Sequence, residues 1–177
     1  MRCEECNIEM VCGQSTENEP FRFDRCGLDH VYLVGIEKFA CPRCKAVYPI
    51  VPRIEELHQV IASALVRKAG DLAGSEVRYL RSWMGMKSQD FADVLGCVPE
   101  HLSKVENGHT RLGASSDRLV RTLVRIKLQQ TEFEEVVSRL RKQKRLKVSK
   151  SRAIQRRLFD LESGRTWKER KTERNVA

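Results

Sequence analysis

Aromatic side chains are scarce, 6% of 177 residues, and long apolar runs are missing. The best run, Val60 to Val66, is short and interrupted by Ser63, well below the roughly 20 apolar residues that span a bilayer. The opening residues, Met1-Arg2-Cys3-Glu4-Glu5-Cys6, lack the apolar centre of a secretory signal. The expectation is a cytoplasmic chain with no membrane partner. So few Phe, Tyr and Trp also leave no stacking platform of the kind on which RNA modules hold unstacked bases. A phosphate-binding glycine loop is absent, as is a nucleophile paired with an oriented base, and the carboxylates are scattered; the sequence therefore reads as no enzyme.

Charge is plentiful but unevenly placed. The formal net charge is +9. Residues 1–70 hold 9 basic and 10 acidic side chains, and residues 71–135 hold 9 and 10 again. Residues 136–177 hold 15 and 4, so the whole excess sits at the C-terminal end. Ten Lys or Arg and no acid lie between Arg139 and Arg157. Apolar Val136, Val137, Leu140, Leu146, Ile154 and Leu158 interleave with them, which reads as a partly helical basic extension. It is either a solvated charged helix or an arm that grips phosphates.

Four segments follow from composition and periodicity. Residues 1–48 carry β-prone runs, Phe21-Arg22-Phe23 and Val31-Tyr32-Leu33-Val34, punctuated by glycines, and predict short strands and loops. Residues 49–74 contain Leu57, Ile61, Ala64 and Leu65 at helical spacing, a connecting helix near 54–68. Residues 75–128 predict four short helices near 75–84, 88–95, 99–106 and 116–128. Residues 129–177 predict a further helix over about 131–146 and the basic tail. The expected fold class is mainly α, with a small β-rich module at the N-terminus.

Seven cysteines, an odd number, do not read as a disulfide framework in a reducing compartment. Cys3-x-x-Cys6 and Cys41-x-x-Cys44 form two CxxC pairs with 34 residues between them. Each pair is a tight turn presenting two sulfurs, and together they predict one closed four-thiolate site for a structural Zn2+ ion. A segment this short buries too little apolar surface to offset chain entropy, and metal binding supplies the remainder. Cys12, Cys26 and Cys97 are spare; Cys97 suits packing between helices, and Cys26 with His30 finds no matching pair of partners for a second site.

The stretch Gly85 to Val98 reads as helix, sharp turn, helix. Ala92 is small where two helices approach, Gly96 supplies the positive φ that ends the first, and Pro99 fits the first turn of the second. Leu80, Met84, Phe91, Leu95, Leu102 and Val105 form the expected core, and Asn107-Gly108 ends the third helix. Arg81, Gly85, Ser88-Gln89, Ala92, Gly96, Leu102-Ser103 and Glu106-Asn107-Gly108 together resemble the Cro/C1-type (XRE) repressor family across residues 77–125. The resemblance implies a five-helix-type helix-turn-helix domain whose third helix lies in the major groove of double-stranded DNA. It makes Glu100, His101 and Lys104 candidate base readers, Ser88, Gln89 and Arg111 candidate phosphate contacts, and Arg81 with Glu106 a structural ion pair. Val98 departs from the pattern, standing where the family usually carries a Ser or Thr cap.

A four-cysteine knuckle followed by such a domain resembles the YgiT-type zinc-finger and MqsA-type antitoxin family, over residues 1–128. That resemblance implies a homodimeric repressor of its own promoter on a palindromic operator, held on the nucleoid when bound to DNA. Some family members also neutralise a ribonuclease toxin through the zinc domain, so a toxin protein is the alternative partner.

Overall fold

The computed structural model describes residues 1–128, 157–162 and 166–169. They form five α-helices and seven β-strands arranged in two sheets. The fold class is therefore mixed α/β, and the expectation of a mainly α chain is corrected. The expected module at the N-terminus held too few of the strands, because part of the C-terminal extension is β as well. The chain divides into two compact units, one of Met1–Arg25, Asp29–Val60 and Gln155–Ala177, the other of Cys26–Leu28 and Ile61–Ile154.

In the first unit, β1 (Val11–Gln14), β4 (Glu37–Ala40) and β5 (Val47–Ile50) form an antiparallel sheet in the order β1-β4-β5. β2 (Phe21–Arg22), β3 (Val31–Val34), β6 (Arg157–Glu162) and β7 (Thr166–Glu169) form the second, in that order. The chain leaves the second sheet for the first at Gly35, whose φ of +82° is open to glycine at little cost. Buried Ser15 secures the crossing: its carbonyl accepts from the Gly35 N–H at 2.9 Å and its hydroxyl accepts from the Ile36 N–H at 3.1 Å.

β6 pairs with β3 in parallel and β7 returns antiparallel to β6. The reading of this extension as partly helical did not include these two strands. Ile154 and Leu158 look like one helix face, but Arg157–Glu162 is a strand whose Phe159 lies opposite Leu33, both with no exposed surface. Trp167 on β7 is buried and donates from Nε1 to the Pro52 carbonyl at 2.9 Å. The parallel partner and the indole anchor are long-range contacts that local periodicity does not encode. The expected helix over 131–146 and most of the basic run lie outside the described residues.

α1 (Ile54–Arg67) begins in the first unit with Glu55 and Glu56 in its first turn, where the helix dipole favours acids. Its later residues Ile61, Ala64 and Leu65 are buried in the second unit. There they join α2 (Gly74–Trp83), α3 (Ser88–Leu95), α4 (Pro99–Glu106) and α5 (Ala114–Lys127). Val77, Leu80, Phe91, Ala92, Leu102, Val105, Val120 and Val124 make the core, each at most 1% exposed.

A buried arginine on α5 organises the break between α1 and α2. Arg121 donates to the carbonyls of Val66 at 3.1 Å, Lys68 at 3.0 Å and Gly70 at 2.6 Å, groups left over where α1 ends. It also meets Asp117 at 2.7 Å, and Asp117 accepts from the Leu72 N–H at 2.8 Å. At the head of α2, buried Glu76 accepts from the Ala73 N–H at 2.7 Å and pairs with Lys68.

Candidate metal centre and nucleic-acid interface

The two CxxC pairs are built alike, atom for atom along the backbone. In the first, the Cys3 N–H donates to the Ile8 carbonyl at 2.9 Å and the Asn7 N–H to the Cys3 carbonyl at 2.9 Å. In the second, the Cys41 N–H donates to the Ala46 carbonyl at 2.9 Å and the Lys45 N–H to the Cys41 carbonyl at 3.1 Å. Each knuckle closes through a left-handed residue after its second cysteine, Asn7 at φ +54° and Lys45 at φ +63°. Asn tolerates that region; the lysine is held in it by the turn.

The knuckles bring Cys3, Cys6, Cys41 and Cys44 together, with all four sulfurs within 4.8 Å of one another. The Cys3 and Cys44 sulfurs are 3.5 Å apart. A tetrahedral thiolate site with bonds of about 2.3 Å has an edge of about 3.8 Å, so the donor set fits a metal ion of this type. Met10, Phe39, Ala46 and Tyr48 pack against the buried Cys3 and Cys41. Backbone N–H groups also point at sulfur. At Cys41 the Cys44 amide comes first and Arg43 adds to it; against desolvation, and with the Cys44 and Cys3 thiols, they lower the thiol to about 7. At Cys44 the Ala46 amide favours the thiolate, but desolvation and the Cys41, Cys3 and Cys6 sulfurs outweigh it and push the thiol up to about 12. Four sulfurs this close resist joint ionisation, which a divalent cation relieves. Among the described residues this is the one group of His, Cys, Asp and Glu that gathers ligand atoms for a metal. Cys26 and Cys97 are half-buried and Cys12 is exposed.

In the second unit, α3 ends at Gly96, φ +68°, and Val98 and Pro99 lead into α4. Val98 makes no side-chain cap and is 61% exposed. α4 is held from behind in two ways. Arg81 forms a two-pronged pair with Glu106, Nε to Oε1 at 2.6 Å and a terminal nitrogen to Oε2 at 3.0 Å, and its other nitrogen donates to the Met86 carbonyl at 3.0 Å. Arg78 adds a contact to Glu106 at 3.6 Å and donates to Asn107 Oδ1 at 2.5 Å. Glu106 draws the Arg81 guanidinium further toward its charged form.

The second hold is backbone against backbone. A Cβ at Gly74 would lie 2.1 Å from the Val105 carbonyl oxygen and 3.0 Å from the Gly108 nitrogen, so the head of α2 touches the tail of α4 directly. Gly74 falls between the helices expected near 54–68 and 75–84; a close approach leaves no local signature beyond the glycine itself. Arg121 and Asp117 likewise went unread, since nothing in an i, i+4 pair tells that both side chains are buried.

Glu100, His101 and Lys104 are exposed on α4, Arg111 is exposed in the following loop, and Gln89 is exposed and Ser88 half-buried in the first turn of α3. The Gln89 amide donates to Asp93 along its own helix at 3.3 Å. Exposed Lys87, Lys104 and Arg111 are balanced by exposed Asp90, Asp93 and Glu100. No helix among the described residues is long and apolar enough to cross a membrane. Comparison with known proteins adds no relative: no protein-family model, no curated protein and no solved structure matches this chain.

Proposed function

We propose that this chain is a sequence-specific regulator of transcription that binds duplex DNA as a homodimer and represses from a palindromic operator, its first unit stapled by one structural zinc ion. The observation that carries the reading is α4, pinned by Arg81–Glu106 and by Gly74 while Glu100, His101 and Lys104 face water. A helix fixed from behind and polar in front suits the major groove, whose base edges offer a distinct pattern of donors and acceptors for each pair. Lys104 donates to guanine and Glu100 accepts from cytosine in this reading. Ser88 and the free amides of the first turn of α3 take a phosphate, with Arg111 on another. Two copies present their α4 helices to half-sites about one helical turn apart. Because the exposed charges around α4 balance, the general attraction to phosphates falls to the basic residues beyond 136, whose net charge is +11.

At the four-cysteine site, zinc supplies a crosslink between the two knuckles, and Cys3, Cys6, Cys41 and Cys44 hold it. Elemental analysis of the purified chain tests this, with one zinc per chain expected and iron as the result against it. The DNA reading is tested by sequencing genomic fragments retained by the zinc-loaded protein and then substituting both His101 and Lys104 by alanine. Loss of about tenfold or more on the selected operator, with random duplex little affected, is expected. Equal losses on both would remove these residues as readers, and failure to retain any fragment would remove the function.

A further inference from the structure

The four sulfurs are not equivalent. Cys3 and Cys41 are 2% and 1% exposed, Cys6 is half-buried, and Cys44 is exposed at the tip of the second knuckle. Cys44 stands between Arg43 and Lys45 in the chain, and all three residues are exposed. A thiol open to solvent can be reached by an oxidant, whereas buried ones are inert. A second sulfur is already beside it, Cys3 Sγ at 3.5 Å, on the other knuckle. A disulfide needs about 2.05 Å, a closure of about 1.5 Å from the present separation of the two sulfurs.

We propose that Cys44 is an oxidation site and that the four-cysteine centre is a peroxide-responsive thiol switch closing a Cys3–Cys44 disulfide; the proposal rests on the metal-centre reading above. With a divalent cation bound, Cys44 would be held as the thiolate, and it attacks hydrogen peroxide, its sulfur taking one oxygen as the O–O bond breaks, to give the sulfenic acid and hydroxide. The Cys3 thiolate then attacks the Cys44 sulfur, the S–S bond forms and a second hydroxide leaves. Two thiolates have been oxidised by two electrons and one peroxide reduced by two. The chain is left with two sulfur donors of the original four, too few to retain a structural ion. A dithiol reductant reverses the change. The exposed Cys12 lies outside the group of sulfurs and has no such partner within it.

The test uses the full chain with Cys12, Cys26 and Cys97 replaced by serine, so that the four candidate ligands are the remaining thiols. The zinc-loaded protein is treated with one equivalent of hydrogen peroxide. Released zinc is read with a chromogenic chelator, and the disulfide is mapped by mass spectrometry. Close to one zinc released per disulfide is expected, with Cys3 joined to Cys44 and recovery of zinc binding after dithiothreitol. Limiting iodoacetamide on the zinc-loaded chain labels Cys44 ahead of Cys3 and Cys41 by about tenfold or more. Zinc retained through the treatment, a first disulfide within one knuckle, or earlier labelling of Cys6 overturns the proposal. A chain that never takes up zinc overturns the metal reading and the switch together.

Discussion

Replacing Gly74 by alanine puts a methyl group where the backbone of α4 already is. The added carbon would sit 2.1 Å from the Val105 carbonyl oxygen and 3.1 Å from the Glu106 carbonyl carbon. An ordinary C···O contact is about 3.3 to 3.6 Å, so α2 and α4 must separate by more than about 1 Å at this point. Neither side relaxes by a rotamer change, because the atoms met are main chain. Overpacking of this kind costs about 3 kcal/mol, the upper part of its usual range. Gly74 is the first residue of α2, so alanine returns at most the roughly 1 kcal/mol that helix preference is worth in a helix interior, leaving a net loss of about 2 kcal/mol or slightly more. For a chain of this size that lowers the melting temperature by about 4 to 8 °C, read from helical circular dichroism. Because the shift moves α4 against the rest of its unit, operator affinity should fall further than affinity for random duplex. The comparison variant is Gly113→Ala, where φ is −64° and nothing lies within 4 Å of the new carbon; it should cost within about 0.5 kcal/mol. If Gly74→Ala melts no lower than Gly113→Ala, α2 and α4 do not touch as described and the account of how α4 is held fails.

Other perturbations probe the remaining supports. Arg121→Met takes the cation from Asp117 and the donor from the Lys68 and Gly70 carbonyls, leaving Val66 with Arg125 at 3.5 Å, and the Arg121 and Asp117 side chains are only 5% and 8% exposed; a loss of about 3 to 5 kcal/mol in urea unfolding is expected, and a loss below 1 kcal/mol would show the network to be ornamental. Chelation of the metal should unfold the first unit, since zinc contributes roughly 10–16 kcal/mol in small zinc modules. In a Trp83→Phe background the Trp167 emission should then move to the red, whereas an unchanged spectrum would mean the unit stands without metal. Phe159→Ala removes a side chain with no exposed surface from β6 and should cost about 3 to 5 kcal/mol. For the same reason, truncation after Glu135 removes two strands of a sheet along with the basic run. The phosphate-gripping role is better tested by exchanging Lys and Arg between 139 and 152 for glutamine. Its expected signature is a shallower dependence of DNA affinity on salt, and an unchanged slope would remove the arm.

The four-cysteine cluster and the positions of α3 and α4 were legible because their signals are local. A CxxC turn places two sulfurs within four residues, and Gly96 followed by Pro99 marks where one helix must stop and the next begin. The two strands of the C-terminal extension went unread for a definite reason. Ile154 and Leu158 are spaced as on a helix, and the alternative cue, Ser163-Gly164 between two short runs, is weak beside ten basic residues. A strand that pairs in parallel with one far upstream carries no sign of its partner.

From residue order alone came the knuckles, the helix boundaries and the chemistry of the exposed side of α4, each set by interactions a few residues apart. Tertiary structure decided that the chain is mixed α/β, that β6 and β7 complete a sheet begun at β2 and β3, and that Gly74, Arg121 and Asp117 are structural. Those outcomes depend on burial and on main-chain approach between distant segments, and sequence spacing encodes neither.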